Sequence, residues 1–341
     1  MTPTPKKVVR LNLWTDPSFD RILRADPNIA LTVLDLADPE QALWEQLGQA
    51  DVYHVSAAKD EVPPQWQVTR ALLERCPRLL CASTSGAGYD TVDVQACTER
   101  GVLVVNQAGG NAASVAEHAF GLMLAVARRI VESDQRLKAG GRFSREDLMG
   151  HELNGQTLGL VGIGHIGRRA ARLGQAFGMR VLAHDPYLDD AEVRARGAEP
   201  VPLDELLASS DVVSLHCPRT AQTEGLFDAA AFRAMKRGAL FISTARGGIH
   251  DEAALHDALA AGHLGGAGLD VWKVEPPPPS HPLLGLWNVV STFHTGGVTH
   301  EGRRNVATMA AEQIRALCAG DRPGRIVNDA AWPAFTARLR V

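Results

Sequence analysis

Short runs of aliphatic and β-branched residues alternate with helical patterns along almost the whole chain. This alternation predicts parallel strands with helices on both faces of each sheet. A first series of strands is predicted at Val8–Trp14, Ile29–Leu34, Asp51–Val55, Leu79–Ala82 and Val102–Val105. A second series is predicted at Thr157–Val161, Met179–Ala183, Asp211–Leu215, Ala239–Ser243, Gly265–Leu269 and Val289–Thr292. Because 341 residues also exceed one core of ordinary size, we expect an α/β protein with two doubly wound parallel-sheet domains.

Two long helical patterns lie outside the strand series. Ser114–Leu137 opens with Ser114-x-x-Glu117, which predicts a capped helix that crosses between the domains. A catalytic role for Glu117 is the alternative interpretation. Thr299–Ala319 is longer than a strand connector needs, so we expect it to return the chain to the first domain. The predicted domains are therefore residues 1–112 with 300–341, and an inserted domain at residues 113–299.

The charge pattern argues against two classes of partner. The chain carries 35 Lys and Arg and 39 Asp and Glu, interspersed, for a net charge of −4. We therefore expect no nucleic-acid partner and no membrane-surface helix. Apolar stretches such as Ala119–Ala127 are too short to span a bilayer. Five cysteines without a C-x-x-C pair, and an N-terminus without an apolar core, favour a reducing cytoplasm.

The strongest local motif is the glycine-rich segment from residue 162 to residue 167, GIGHIG, which follows one predicted strand and precedes a helical pattern. Strand, turn and helix in this order predict a dinucleotide-binding loop. Gly162 permits the tight turn, Gly164 lets the backbone approach a pyrophosphate, and Gly167 lets the helix pack against the strand. The amides of His165 and Ile166 and the helix dipole then face the phosphates.

An acidic residue follows the next predicted strand. Asp185 lies about 20 residues beyond Gly162, the spacing expected of the carboxylate that binds the ribose hydroxyls. No arginine follows Asp185 directly to receive a 2′-phosphate, so NAD is predicted over NADP. The alternative interpretation is a turn in which Asp185 only caps the backbone.

Three polar segments follow separate strands of the second series, where open α/β sheets place their ligands. They contain Arg246, Glu275 and His294. A 2-keto acid requires a planar bidentate cation for its carboxylate, a proton donor near neutrality and an acidic partner for that donor. Arginine, histidine and glutamate meet these requirements. Without further information, each could instead be a surface or turn residue.

Several segments together resemble the D-isomer-specific 2-hydroxyacid dehydrogenase family, over residues 52–328. The segments are Gly86-Ala87-Gly88-Tyr89-Asp90, Asn106, Ser114-Val115-Ala116-Glu117-His118, the glycine loop, His216-Cys217-Pro218, Ala245-Arg246-Gly247-Gly248, Asp270-Val271, Glu275-Pro276 and His294-Thr295-Gly296-Gly297. The resemblance implies a Rossmann NAD-binding domain inserted into a flavodoxin-like substrate domain. It also implies an NAD-dependent enzyme acting on a small 2-keto or 2-hydroxy acid, and a homodimer formed through Ser114–Gly150.

The resemblance implies roles for individual residues. Arg246 would bind the carboxylate and polarise the carbonyl, with His294 as general acid and base and Glu275 as its partner. Backbone amides of Ala87 and Gly88, from the other domain, would help to hold the carboxylate. The residues implied at the nicotinamide side of the cofactor are Cys217, Pro218, Thr244, Ala245, Arg246, Asp270, His294, Gly296 and Gly297.

Other chemistries fit the sequence less well. His294 and His300 are close in sequence, but no carboxylate or cysteine at ligand spacing joins them, so no metal site is expected. Ser85 lacks the G-x-S-x-G elbow of a serine hydrolase. An NAD-sensing corepressor of the same superfamily remains an alternative to an enzyme.

The substrate is the least determined part of the interpretation. Relatives that reduce phosphorylated substrates carry arginines before Ser-Ala in the third-strand loop and before the Gly-x-Gly loop. This chain has Val55 and Thr84-Ser85 at those places. No regulatory domain is expected after the returning helix. We therefore expect an unphosphorylated acid of the glyoxylate or hydroxypyruvate kind, with a D-3-phosphoglycerate dehydrogenase lacking its regulatory domain as the alternative.

Overall fold

The computed structural model describes residues 4–140 and 142–339. It contains two compact units, Met1–Asn111 with Thr299–Val341, and Ala112–Val298. The strands are β1 Lys6–Leu11, β2 Ile29–Leu34, β3 Val52–Val55, β4 Cys81–Thr84, β5 Leu103–Val105, β6 Thr157–Val161, β7 Arg180–His184, β8 Glu199–Pro200, β9 Val212–Leu215, β10 Leu240–Ser243, β11 Gly266–Leu269 and β12 Val289–Ser291. The α-helices are α1 Ser18–Arg24, α2 Glu40–Leu47, α3 Arg70–Arg75, α4 Val94–Glu99, α5 Ala112–Ala127, α6 Ile130–Ala139, α7 Gly167–Ala176, α8 Asp190–Ala195, α9 Leu203–Ser209, α10 Ala229–Ala234, α11 Glu252–Ala260, α12 His300–Ala319 and α13 Trp332–Leu339.

The first unit is built on a five-stranded parallel sheet in the order β2-β1-β3-β4-β5. This is the flavodoxin-like order, and it confirms the predicted fold of this part of the chain. Two apolar clusters fill the unit, one containing Tyr53 and Trp66 and the other containing Phe19 and Phe335. Helix α12 belongs to the second cluster through Ile314, so it packs within this unit.

The second unit holds a seven-stranded parallel sheet in the order β8-β7-β6-β9-β10-β11-β12. The order reverses between β6 and β9, which makes a Rossmann sheet with its switch point at the end of β6. Apolar clusters around Phe241 and around Leu158 are buried in the unit. Along the described residues, no helix is both long and apolar enough to cross a membrane.

The predicted single helix over Ser114–Leu137 is wrong. The structure has two helices, α5 and α6, because Arg129 adopts left-handed backbone angles (φ 52°, ψ 37°) that end the helical run. The Arg129 guanidinium donates to both carboxylate oxygens of Glu132 and to the carbonyl oxygen of Asp147, which holds the break. Ser114 is buried and is the third residue of α5 instead of its N-cap, so the predicted capping box is also wrong.

Strand boundaries differ from the prediction mainly in the first unit. Strand β1 ends at Leu11, three residues earlier than predicted, and an exposed Trp14 lies in the loop that follows. Strand β4 begins and ends two residues later, so Thr84 is its last residue. Its hydroxyl donates to the Gly88 carbonyl oxygen at 2.8 Å, with the Gly86 carbonyl oxygen 3.2 Å away, and so shapes the loop beyond the strand.

Candidate active site

The glycine loop lies between β6 and α7, at the switch point of the second sheet. Gly162 has a φ of +90°, which few other residues adopt, and a Cβ there would lie 2.9 Å from the Cys217 nitrogen. A Cβ on Gly167 would lie only 2.3 Å from the Gly162 carbonyl oxygen. A Cβ on Gly164 would meet nothing within 4 Å. The loop is therefore closed against the protein at Gly162 and Gly167 and open to a ligand at Gly164.

Asp185 directly follows β7, next to this loop. One carboxylate oxygen accepts from the Ile163 amide at 3.0 Å, and the other accepts from the Tyr187 amide at 3.2 Å. The carboxylate is thus held at the carboxyl end of its strand, as a ribose-binding acid requires. His165 lies exposed at the start of α7 with Ile166, beside the open Gly164.

The ends of β9 and β10 border the same edge of the sheet. Cys217 and Pro218 follow β9, and burial raises the pKa of the Cys217 thiol to about 11. Thr244 and Ala245 follow β10 and are buried. The Thr244 hydroxyl has no hydrogen-bond partner within the described residues. Since buried hydroxyls are rarely left unpaired, this position fits a polar group of a bound cofactor.

His294 and Glu275 form a close ion pair. His294 Nδ1 lies 2.8 Å from Glu275 Oε2, and Glu275 Oε1 accepts from the Trp272 amide at 3.0 Å. The hydrogen bond to Glu275 raises the pKa of His294, although burial and the charge of Arg246 oppose it. Burial opposes ionisation of Glu275, but the bond and charge of His294 outweigh it and lower the Glu275 pKa. The pair therefore favours imidazolium beside carboxylate, with Nε2 left for another group.

Arg246 belongs to the same charged group. It follows β10, is half-buried, and donates from Nη1 to the Ala245 carbonyl oxygen at 2.7 Å. Its positive charge lowers the pKa values of both His294 and Glu275, so the guanidinium lies within electrostatic range of the pair. The structure thus brings the three predicted catalytic residues together at one edge of the second sheet.

The Asp270 carboxylate is hydrogen-bonded to the turn that carries His294. Its Oδ1 accepts from the Thr295 amide and its Oδ2 from the Gly296 amide, both at 2.8 Å. Burial opposes ionisation, but the nearby His118 imidazole and hydrogen bonds from Thr292, Gly296 and Thr295 outweigh it and lower the Asp270 pKa to about 2. Gly296 is buried against the carboxylate and Gly297 is half-buried beyond it. Asp270 is a fixed anion that organises this turn.

The two predicted amide donors of the first unit lie in the loop after β4. The Ala87 carbonyl oxygen accepts from the Asn106 side chain at 2.8 Å, and the Gly88 carbonyl oxygen accepts from Thr84. The structure gives neither amide nitrogen an acceptor among the described residues. The loop therefore turns its carbonyl groups into the fold and leaves two donors for a ligand.

Sequence reasoning gave no role to two side chains near the His294 turn. His118, from α5, and Thr292, after β12, both contact Asp270. They lie 174 residues apart, so no local spacing connects them. Glu117 is exposed on α5, and His300 begins α12 in the other unit. Within residues 4–140 and 142–339, no three His, Cys, Asp or Glu side chains form a group that could hold a metal.

The comparison with protein families agrees with this geometry. The model described as "D-isomer specific 2-hydroxyacid dehydrogenase, NAD binding domain" matches residues 120–296, which covers most of the second unit. The chain belongs to the D-isomer specific 2-hydroxyacid dehydrogenase family. Both the resemblance and the Rossmann fold predicted from the sequence are thereby confirmed.

Relatives within the family carry different names. The chain is 43% identical to a D-3-phosphoglycerate dehydrogenase of Archaeoglobus fulgidus, over 76% of this chain but only 49% of that protein. It is 41% identical to a hydroxypyruvate reductase of Thermotoga maritima, over 90% of this chain and 96% of that protein. A solved glyoxylate reductase of Paecilomyes thermophila is 27% identical with a TM-score of 0.84, and covers 96% of this chain and 99% of its own. The chain thus spans about half the length of the phosphoglycerate dehydrogenase and nearly all of the hydroxypyruvate reductase.

Proposed function

We propose that this protein is an NAD-dependent oxidoreductase that moves a hydride between NAD(H) and C2 of a small, unphosphorylated D-2-hydroxy or 2-keto acid. The observation that carries the proposal is the His294–Glu275 pair at 2.8 Å beside Arg246, at the carboxyl ends of neighbouring strands. Family membership supports the reaction class. The open Gly164, the fixed Asp185 carboxylate and the unpaired Thr244 hydroxyl fit NAD as the cofactor.

His294 supplies the proton chemistry in this proposal. NADH, when bound, would supply the hydride that C2 receives. As C2 gains the hydride, protonated His294 gives a proton from Nε2 to the carbonyl oxygen, which yields the hydroxyl group. Glu275 remains ionised and stabilises the imidazolium before the transfer. In the reverse direction neutral His294 takes the hydroxyl proton as C2 gives up the hydride.

Arg246 binds the substrate carboxylate and polarises the carbonyl. A guanidinium presents two parallel donors that match a carboxylate, and its charge also stabilises the developing alkoxide. The Ala87 and Gly88 amides are the proposed second set of carboxylate donors. The first unit, which carries them, is accordingly proposed as the substrate domain, and the second unit as the NAD-binding domain.

The first unit supports an unphosphorylated substrate. Val55 and Thr84-Ser85, which stand where the resemblance implies arginines in phosphate-binding relatives, are uncharged; Val55 and Thr84 are buried and Ser85 is half-buried. A shallow hollow at the carboxyl ends of β1, β3 and β4 is lined by Arg10, Trp14, Ser56 and Ser85, among others. Arg10 forms two hydrogen bonds with the Asp20 carboxylate, both at 2.9 Å. Its charge is therefore already neutralised, and a phosphate dianion would lack an anchor in this hollow.

A panel of 2-keto acids tests the substrate class. We expect NADH consumption with glyoxylate, hydroxypyruvate or a larger unphosphorylated acid to exceed consumption with 3-phosphohydroxypyruvate by at least about tenfold in kcat/KM. The reverse order would favour the phosphoglycerate dehydrogenase alternative, which the 43% identical relative supports. Absence of turnover with every acid, together with tight NADH binding, would favour an NAD-sensing binding protein.

The proposal extends to assembly and location. Helix α6 has no buried residue, and the segment proposed for dimerisation exposes Ile130, Leu137 and Met149. These apolar side chains support a homodimer formed through this segment. All five cysteines are free thiols, which supports a reducing cytoplasmic location.

A further inference from the structure

Three side chains from different parts of the second unit form a hydrogen-bonded chain beside the His294 turn. His118 Nε2, on α5, lies 2.9 Å from Thr292 Oγ1. Thr292 Oγ1 lies 2.6 Å from Asp270 Oδ1. His118 Nε2 is also 3.5 Å from the same Asp270 oxygen. Neither His118 nor Thr292 has a place in the proton transfer described above.

Which group donates and which accepts in this series follows from the number of hydrogens on each side chain. The ionised Asp270 carboxylate can only accept, so the single Thr292 hydroxyl hydrogen points to it. The Thr292 oxygen must then accept from His118, which requires a hydrogen on His118 Nε2. The hydrogen bonds therefore run from an Nε2–H donor on His118, through the Thr292 hydroxyl, to the Asp270 carboxylate.

Asp270 passes this restraint to the backbone that carries His294. Its carboxylate accepts from the Thr295 and Gly296 amides, and its carbonyl oxygen accepts from the His294 amide at 2.7 Å. The His118 ring also packs on the turn, because a Cβ on Gly296 would lie 3.4 Å from His118 Cδ2. The restraint matters because His294 has a φ of +45°, a left-handed conformation that is unfavourable for a residue with a side chain.

We infer that His118 and Thr292 are positioning residues. Through Asp270 they stabilise the left-handed backbone conformation of His294, which places its imidazole in hydrogen-bond contact with Glu275. The catalytic consequence rests on the proposed function, whereas the positioning itself does not. Charged groups that face His294 are Glu275 and Asp270, which favour its protonation, and Arg246, which opposes it. Loss of the turn geometry therefore separates His294 chiefly from Glu275 and lowers the His294 pKa.

The test is titration of ¹⁵N-labelled histidines by NMR in the full-length protein, with His294 assigned through His294→Gln. His118→Phe and Thr292→Val break the series of hydrogen bonds from His118 through Thr292 to Asp270. His118→Gln and Thr292→Ser keep a hydrogen-bond donor at residues 118 and 292. We expect the His294 pKa to fall toward the ordinary value of about 6.5 in the first two variants and to stay raised in the second two. His256→Phe is the matched control, because His256 lies beside Asp257 on α11, away from the His294 turn, with 32% of its side chain exposed.

Turnover adds a second readout. In His118→Phe and Thr292→Val we expect kcat to fall by about tenfold or more while the NADH dissociation constant stays within about twofold. An unchanged His294 pKa in both variants would overturn the inference. An equal fall in His118→Gln would overturn it as well, since the donor would then be irrelevant. If the wild-type protein reduces no 2-keto acid, the proposed function fails, but the NMR result still decides the positioning role.

Discussion

At the scale of single residues, the distance between His294 and Glu275 makes a specific prediction about pH. Glu275→Gln removes the negative charge that raises the His294 pKa, so that pKa falls. Keto-acid reduction needs imidazolium and is fast below the His294 pKa, so its alkaline limb moves to lower pH. Hydroxy-acid oxidation needs neutral imidazole, so its acidic limb also moves to lower pH. Initial rates of reduction and oxidation, measured across pH, report the shift. If the limbs of the Glu275→Gln profiles coincide with those of the wild type, Glu275 is not the partner of His294.

Arg246 offers a test of geometry at constant charge. Lysine in its place keeps the positive charge but loses the planar pair of donors. We expect Arg246→Lys to lower kcat/KM for keto-acid reduction by about 10²-fold, with effects on both kcat and KM. Arg194→Lys, a change on the exposed α8, is the matched control and should retain wild-type kinetics. Near-normal kinetics in Arg246→Lys would remove Arg246 from the site.

The Asp185 carboxylate determines the expected cofactor preference. A phosphate about 4 Å from it would meet a repulsion of roughly 4 kcal/mol per charge pair at an effective dielectric constant of 20. Solvent reduces this value, but about 1.4 kcal/mol already corresponds to a tenfold preference. We therefore expect kcat/KM with NADH to exceed that with NADPH by more than about tenfold. Comparable values would show that Asp185 does not bind the ribose.

At the scale of elements, substitutions at two glycines of the loop test stability and cofactor binding separately. Gly167→Ala places a Cβ 2.3 Å from a backbone oxygen, so we expect a stability loss of about 1–3 kcal/mol and a lower Tm. Gly164→Ala meets no protein atom within 4 Å, so Tm should change little while the NADH dissociation constant rises by about tenfold or more. Thermal unfolding and NADH fluorescence titration measure both. Equal NADH affinity in Gly164→Ala and wild type would contradict this account of the loop.

The parts of the fold that the sequence predicted are those with strong local signals. Buried parallel strands are continuous apolar runs, and the glycine loop is a motif of six consecutive residues between a strand and a helix. The break at Arg129 was missed because left-handed angles at an arginine depend on its contacts with Glu132 and Asp147. The sequence predicts a strand at the exposed Trp14 because tryptophan favours strands whether or not it is paired.

The candidate site likewise contains residues with a local sequence signal and residues whose contacts depend on the folded structure. The proximity of Arg246, Glu275 and His294 could be predicted because each follows a strand of one sheet and matches a motif; their catalytic roles stay a prediction. No role could be predicted for His118 or Thr292, because their contact joins α5 to the end of β12 across 174 residues. Asp270 was predicted to line the cofactor, and its hydrogen bonds to the turn could not be read from a linear motif. That expected cofactor contact stays a prediction.

At the scale of the whole molecule, the exposed apolar residues of the 114–150 segment predict assembly. Leu137→Glu places a charge at a side chain that is 72% exposed in the single chain, and we expect it to shift the protein from dimer to monomer in light scattering. Tyr187→Glu is the control, since Tyr187 is 71% exposed outside that segment. A wild-type monomer at micromolar concentration would contradict the dimer, and a Leu137→Glu dimer would place its interface elsewhere.

The central claim is hydride transfer between NAD(H) and C2 of a 2-keto acid, and isotope transfer tests it most directly. The protein is incubated with glyoxylate or hydroxypyruvate and NADH carrying deuterium at C4, separately in each stereochemical position. We predict that one of the two forms delivers deuterium to C2 of glycolate or glycerate, detected by mass spectrometry and NMR, and that His294→Gln slows this transfer strongly. Cofactor oxidation without deuterium at C2, or no transfer with any 2-keto acid, would contradict the account.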